Sequence, residues 1–289
     1  MAAPRLKLAT QTGEKVARDA GYASFPVPPK KIVEAKGIRL VAKPPDQPGI
    51  SGALILVGGE VTILHSTEHN EGFANFSIAH ELGHFCLPGH PEQIMASNGM
   101  HASRAGFRGT DPIELEADHF AAGLLMPGEL VRSFFDRRQL GLEAIRELSA
   151  EADTSLTAAA IRATECAVGP VAIVVSQGDR VGYAFMSAAF KSYGGLSFLR
   201  AGASLPASVT RRLNEGVVRE GQSPIEADTD LEAWFDGSSR VALREEVLRL
   251  GSYERTLTVL TGDPVPDPDD PEYDDEEALI EAWTPRFRR

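Results

Sequence analysis

FSIAHELGHFCLPGH, residues 76–90, decides how the rest of the chain is read. Inside it His80-Glu81-Leu82-Gly83-His84 forms the pattern H-E-x-x-H, with Ser77, Ile78, Ala79, Leu82 and Phe85 making an apolar helix with one polar face. At 3.6 residues per turn, positions i and i+4 share a helix face. Two imidazoles so placed can close on one zinc ion, which takes nitrogen ligands at about 2.0–2.1 Å. The carboxylate of Glu81, beside the first ligand, can then accept a proton from a water that the metal activates. The plainer reading is an exposed histidine pair on an ordinary helix. Glu81 between the histidines and the apolar neighbours favour the metal.

Two stretches compete for the third ligand. His90 stands six residues after His84, where the pattern H-E-x-x-H-x-x-G-x-x-H carries its third histidine. That pattern turns the chain back on a glycine three residues after the second histidine; here Leu87 occupies that position and the next glycine is Gly89. The other stretch is ELEADHFAA, residues 114–122. On a helix Glu114 and Asp118 stack in line with Ala121, Ala122 and Leu125, while Glu116 is turned about 200° away. Glu114 can then reach the metal while Asp118 accepts the free N–H of a ligating histidine, fixing its tautomer. Glu114 is preferred over His90, with Glu116 behind both and read as a solvated acid favouring the helix dipole. His119, beside Asp118 but pointing elsewhere, reads as structural.

With FSIAHELGH followed by ELEADHFAAGLLMP, the chain resembles the ImmA/IrrE family of HExxH zinc metallopeptidases over roughly residues 10–165. The resemblance implies a thermolysin-like zincin core in which two histidines and a glutamate bind Zn2+. By position His80, His84 and Glu114 match the ligands, Glu81 the general base, and Asp118 a position that is Asn or Asp in the family. It also implies a protein substrate, a helix-turn-helix repressor whose cleavage relieves repression in mobile elements or stress responses. The chain departs from the family in the stretch between the two motifs, residues 90–111, which is long and holds His101 besides His90.

Residues 91–112, rich in Ser, Gly, Ala and Arg, read as a loop too long for a plain connector and suited to a lid or a substrate wall. His101, Arg104 and Arg108 are its candidate donors to an oxyanion or a substrate carboxylate. The simpler reading makes each an exposed group with a local role.

The 289 residues carry 43% hydrophobic and 24% charged side chains, ordinary for a globular protein. A net charge of −12 argues against charge-driven nucleic-acid binding by the whole surface. Cys86 and Cys166 are no disulfide framework and point to a reducing cytoplasm, with Cys86 read as a small buried hydrophobe. No apolar run approaches the roughly 18 residues of a membrane span, and no targeting segment is visible.

Working outward, residues 11–20 and 30–35 read as helices, and 38–42, 51–57 and 61–65 as strands, the last two joined at Gly58-Gly59. An edge of such a sheet can receive an extended peptide. His65 and His69 read as exposed loop groups. Residues 129–138, 142–152 and 156–166 read as three helices. The last two have a helix-turn-helix flavour, but interspersed acids favour simple packing. After Gly169-Pro170 a hairpin over 171–186 and strand-like runs at 231–235 and 255–261, with 241–250 strand or helix, suggest a small α+β domain.

The expected architecture is therefore α+β. A zincin-like metallopeptidase domain at 1–127 has a small sheet and the HExxH helix. A helical segment follows at 128–168, then a C-terminal α+β domain for sensing or docking at 169–262. The acidic, Pro-rich tail at 263–289 reads as solvated. The function expected is zinc-dependent endoproteolysis of a repressor, with no direct nucleic-acid contact and no membrane. The rival is a non-catalytic, zinc-containing regulatory or antitoxin-like binding module, against which an intact Glu81 argues. A DNA-binding regulator using the 142–163 helices is disfavoured by the acidic charge.

Overall fold

Residues 4–43, 50–67, 71–103, 111–219, 224–235, 241–251 and 254–264 are described by a computed structural model. His69, Arg104, Arg108 and nearly all of the acidic tail lie outside the described residues. The chain divides into two compact units, Met1–Ala167 and Val168–Arg289.

In the first unit the elements run α1 (Leu6–Asp19), α2 (Pro29–Ala35), β1 (Arg39–Ala42), β2 (Gly52–Val57), β3 (Glu60–His65), α3 (Glu71–Cys86), α4 (His90–Ala96), β4 (Met100–Ser103), α5 (Pro112–Leu125), α6 (Gly128–Phe135), α7 (Leu142–Glu151) and α8 (Leu156–Cys166). The sheet order is β1-β3-β2-β4. Gly58 and Gly59 take φ of 62° and 82°, the left-handed geometry that a two-residue turn needs, and so set the β2–β3 register. β1 lies parallel to β3, and β4 antiparallel to β2.

Two expectations fail here for one reason. The stretch read as a loop after residue 90 contains α4 and β4, and His65 is buried at 8% exposure instead of exposed. β4 has no apolar alternation of its own; it becomes a strand by pairing Ser103 with Gly52 through Met100 with Ile55. His65 sits opposite Gly52 on the other side of β2, at the covered end of the hairpin. Tertiary pairing overrides local composition at both places.

α3 is buried on nearly every side, which is why its sequence is apolar around the two histidines. Pro88 and Gly89 end it, and Gly89, at φ 90°, turns the chain into α4. Leu54, Ile63, Ile78, Leu82, Phe120 and Leu124 are fully enclosed between sheet, α3 and α5. Each such side chain stabilises the fold by about 1.5–3 kcal/mol relative to exposure. α1 lies against α5 closely enough that a Cβ at Gly13 would strike the Phe120 carbonyl oxygen, and one at Gly123 the Thr10 carbonyl oxygen. Buried Arg162 of α8 donates to the Met126 carbonyl at 2.8 Å and pairs with Glu14 of α1 and Glu165. Burial pushes the Cys86 thiol up to about 11, in keeping with a small buried hydrophobe.

The second unit contains β5 (Val171–Gln177), β6 (Arg180–Met186), α9 (Ala188–Lys191), α10 (Val209–Asn214), β7 (Ile225–Asp230), α11 (Leu231–Phe235), β8 (Ala242–Arg249) and β9 (Arg255–Gly262). Its sheet runs β6-β5-β9-β8-β7, with neighbours antiparallel. The 231–235 run, expected as a strand, is a helix: Asp230 accepts the Ala233 N–H at 2.7 Å and starts it. Trp234 and Phe235 thereby enter the core with Phe190. Glu245 on β8 is buried at 1% exposure and accepts from the Thr210 N–H at 2.8 Å and the Thr210 hydroxyl at 2.6 Å. No helix among the described residues is long and apolar enough to cross a membrane.

Candidate metal centre

The centre is made where α3 crosses α5. Gly83 permits the approach: a Cβ there would lie 3.0 Å from the Phe120 ring of α5. On α5, Asp111 caps the helix by accepting the Ile113 N–H at 3.2 Å, and Pro112 opens it, so Glu114 falls in the first turn. One turn later comes Asp118. The i, i+4 pairs of the two helices, His80 with His84 and Glu114 with Asp118, thus face each other.

His80 Nε2 and His84 Nε2 are 3.1 Å apart. Glu114 offers Oε1 at 3.2 Å from His84 Nε2 and Oε2 at 3.5 Å from His80 Nε2. A tetrahedral ion with bonds of about 2.0–2.1 Å separates its ligand atoms by about 3.3 Å. These spacings therefore fit a metal ion, and His80, His84 and Glu114 form the cluster that could hold one.

Each side chain of the cluster is held from behind. His80 Nδ1 donates to Asp118 Oδ1 at 2.8 Å. His84 Nδ1 lies 3.1 Å from His90 Nδ1, and His90 Nε2 lies 3.2 Å from Glu116 Oε2. His90 is thus on the nitrogen of His84 that faces away from Glu114, and does not join the ligand cluster. Glu116 is not the solvated acid expected. It is 4% exposed and receives the backbone N–H, Nε and Nη2 of Arg5 at 2.8, 3.2 and 2.8 Å. The 200° turn between Glu114 and Glu116 sends the second acid into a buried layer and not into water. His101 Nε2 is engaged by Glu114 Oε1 at 2.6 Å, so the structure places it on the carboxylate of the cluster and not in a free position.

The electrostatics follow from burial and these partners. Burial works against a charged His80, but the carboxylates of Asp118 and Glu114 carry it up to about 10. His84, enclosed and beside the cationic face of His80, is pushed down to about 3. Burial alone would lift Glu114, yet hydrogen bonds from His101, His80 and His84 hold it well below the usual carboxylate range. The same negative field that retains a proton on His80 attracts a cation.

Glu81 is 0% exposed, and neither of its oxygens has a hydrogen-bond partner among the described residues. Burial dominates and pushes the acid up to about 7, opposed by the charge of His80 and by the Ser103 hydroxyl, which does not meet hydrogen-bond geometry. Above it lies Gly52 of β2, where a Cβ would stand 2.6 Å from Ser77 Oγ and 2.7 Å from Glu81 Oε1. Gly52 and Arg5 are the two contributors that sequence reasoning missed. Arg5 gives no local signal, and Gly52 reads as an ordinary strand start.

Residues 33–164 match the family model for the IrrE N-terminal-like domain. No curated protein matches the chain. Among solved structures, a Mycobacterium tuberculosis transcriptional regulator is similar with a TM-score of 0.56 at 13% identity, over 89% of this chain and 76% of that one, a likeness of fold. The helix pair, its His–His–Glu cluster and the matched residues agree with one another: residues 33–164 are similar to the IrrE N-terminal-like domain, and the mixed α+β fold is consistent with a zincin-like domain of metallopeptidase type.

Proposed function

We propose that the chain is a zinc-dependent metalloendopeptidase that cuts a helix-turn-helix repressor and so derepresses stress-response or mobile-element genes. The observation that carries the peptidase reading is Glu81: a fully buried carboxylate, without a hydrogen-bond partner among the described residues, next to His80 of the His80–His84–Glu114 cluster. A merely structural metal needs no such group. A zinc ion bound there supplies Lewis acidity toward the scissile carbonyl and makes the attacking water more acidic. Glu81, with its acid raised toward neutrality, takes that water's proton and returns it to the leaving amine. Asp118 keeps the His80 Nδ1 proton in place, and His101 steadies the Glu114 carboxylate.

Support for a repressor substrate comes from the family resemblance, and the acidic chain suits a protein partner better than DNA. Free Cys86 and Cys166 suit a cytoplasmic location. The second reading, a zinc-containing module without catalysis, draws on one observation: Glu81 is closed to solvent beneath Gly52.

The test compares wild type with Glu81→Gln. Zinc content by elemental analysis is expected to stay at one ion per chain in both. Newly formed protein termini in cells, read by mass spectrometry, are expected only with the wild type and in a helix-turn-helix protein. Identical termini with both would sink the peptidase reading in favour of the binding module. Wild-type cleavage confined to proteins of another class would sink the repressor assignment alone.

A further inference from the structure

The two histidines of the cluster are held by different devices. His80 has a carboxylate directly on Nδ1, whereas His84 has a second histidine there, then an acid, then an arginine from the start of α1. We infer that His90, Glu116 and Arg5 are positioning residues that lock His84 in the tautomer a metal requires, making metal affinity depend on the N-terminal segment. The inference rests on the proposal that the cluster binds zinc.

The argument is one of proton accounting. His84 and His90 are 0% exposed and Glu116 4%, so these groups satisfy one another without water. For His84 to present a lone pair on Nε2, its proton must sit on Nδ1. His90 Nδ1, 3.1 Å away, must then accept, which puts the His90 proton on Nε2. There it meets Glu116 Oε2 at 3.2 Å, an acceptor whenever the acid is ionised. Three donors of Arg5 keep it ionised. Reversed, His90 would donate to His84 and force a proton onto His84 Nε2, between His80 and Glu114, where it would exclude a cation. The reversed chain would also leave His90 Nε2 and the Glu116 carboxylate facing each other as two acceptors. The negative charge at the far end therefore selects the metal-competent tautomer at the near end.

Arg5 fixes the link mechanically as well. Its Nη2 also donates to the Pro88 carbonyl at 2.8 Å, on the Leu87–His90 turn that presents His90. One guanidinium thus holds both the acid and the turn.

The experiment is Zn2+ affinity of the full-length chain, by competition with a chromophoric chelator, with folding checked by circular dichroism. His90→Leu is expected to weaken binding about 10–100-fold. His90→Asn places an amide oxygen near the lost Nδ1 and is expected to recover most of the affinity. His90→Gln reaches the Nε2 position instead, leaves His84 Nδ1 unpaired, and is expected to stay weak. Arg5→Ala is expected to lose less than His90→Leu. Equal affinity in Asn and Gln variants, or wild-type affinity in His90→Leu, would overturn the lock. As a check independent of any variant, long-range proton–nitrogen NMR of the zinc-bound wild type is expected to show His90 protonated at Nε2; a proton at Nδ1 overturns the lock. A wild type that binds no Zn2+ would overturn the metal reading itself and is distinguishable from all of these.

Discussion

Glu81 of α3 and Glu245 of β8 are buried to the same depth, 0% and 1% exposed, in two units of one chain. Their surroundings differ atom by atom. Glu245 accepts the N–H and hydroxyl of Thr210, and that hydroxyl meets the Thr258 hydroxyl at 2.7 Å. Among the described residues Glu81 has no such partner, and a glycine fits over it where any side chain would collide. Burying a carboxylate is costly unless it is hydrogen-bonded. Where the fold answers that cost locally, as at Glu245, the acid is part of the architecture. Where it does not, as at Glu81, burial lifts the carboxyl to about 7, as is common for groups at functional sites. Depth alone does not tell the two apart; partners do.

Exchange of each acid breaks the comparison most directly. Glu81→Gln is expected to lower peptide cleavage about 10³-fold, near 4 kcal/mol in the barrier, with zinc retained. Glu245→Ala, leaving Thr210 without its acceptor, is expected to cost about 3 kcal/mol of the second unit's stability by denaturant titration, with zinc content unchanged. Should Glu245→Ala be silent, the satisfied acid is not architectural. Metal removal separates the units next. Free zinc at 100 times its Kd stabilises its unit by about 2.7 kcal/mol. A chelator should lower the thermal transition of the first unit and leave that of the second in place, read by calorimetry. Asp118→Ala is expected to weaken zinc binding about 10–100-fold, or about 1.4–2.8 kcal/mol, in a chelator competition. At the bottom of the scale, Arg244→Ala removes a pair with Glu226 whose side chains are 44% and 52% exposed. It is expected to shift stability by less than about 1 kcal/mol in the same denaturant titration, because water screens such pairs.

What the sequence disclosed tracks helical periodicity. His80 with His84 and Glu114 with Asp118 were legible because i, i+4 spacing is geometry, and the two helices had only to meet. The β2–β3 hairpin was legible because Gly58-Gly59 is a turn on its own. β4 was not, since Met100–Ser103 has no alternation and takes its form from the edge of β2. The five residues of α11 are too few to show a helical period, and the Asp230 cap had to be seen to be recognised. Helical geometry puts Glu116 on the side of α5 opposite Glu114, but it does not show that this side is buried. Nothing near it in sequence announces Arg5, which lies 111 residues away. The spacing of His90 from His84 suggests a ligand because it measures distance along the chain, not which nitrogen of His84 it meets.

The reciprocal glycines of α1 and α5 carry a consequence for where this domain ends. The family match starts at residue 33, after α1 has finished. Yet Gly13 and Gly123 let α1 rest backbone against backbone on the helix that bears Glu114 and Asp118. The stretch that the family model matches is thus shorter than the stretch that packs together. A chain trimmed to the shared stretch would bare the α1 face of α5 and loosen two of the groups that shape the centre. The matched stretch and the packed stretch have different borders here, and the earlier one, which takes in Arg5 and α1, is the border that the folded domain would have to respect.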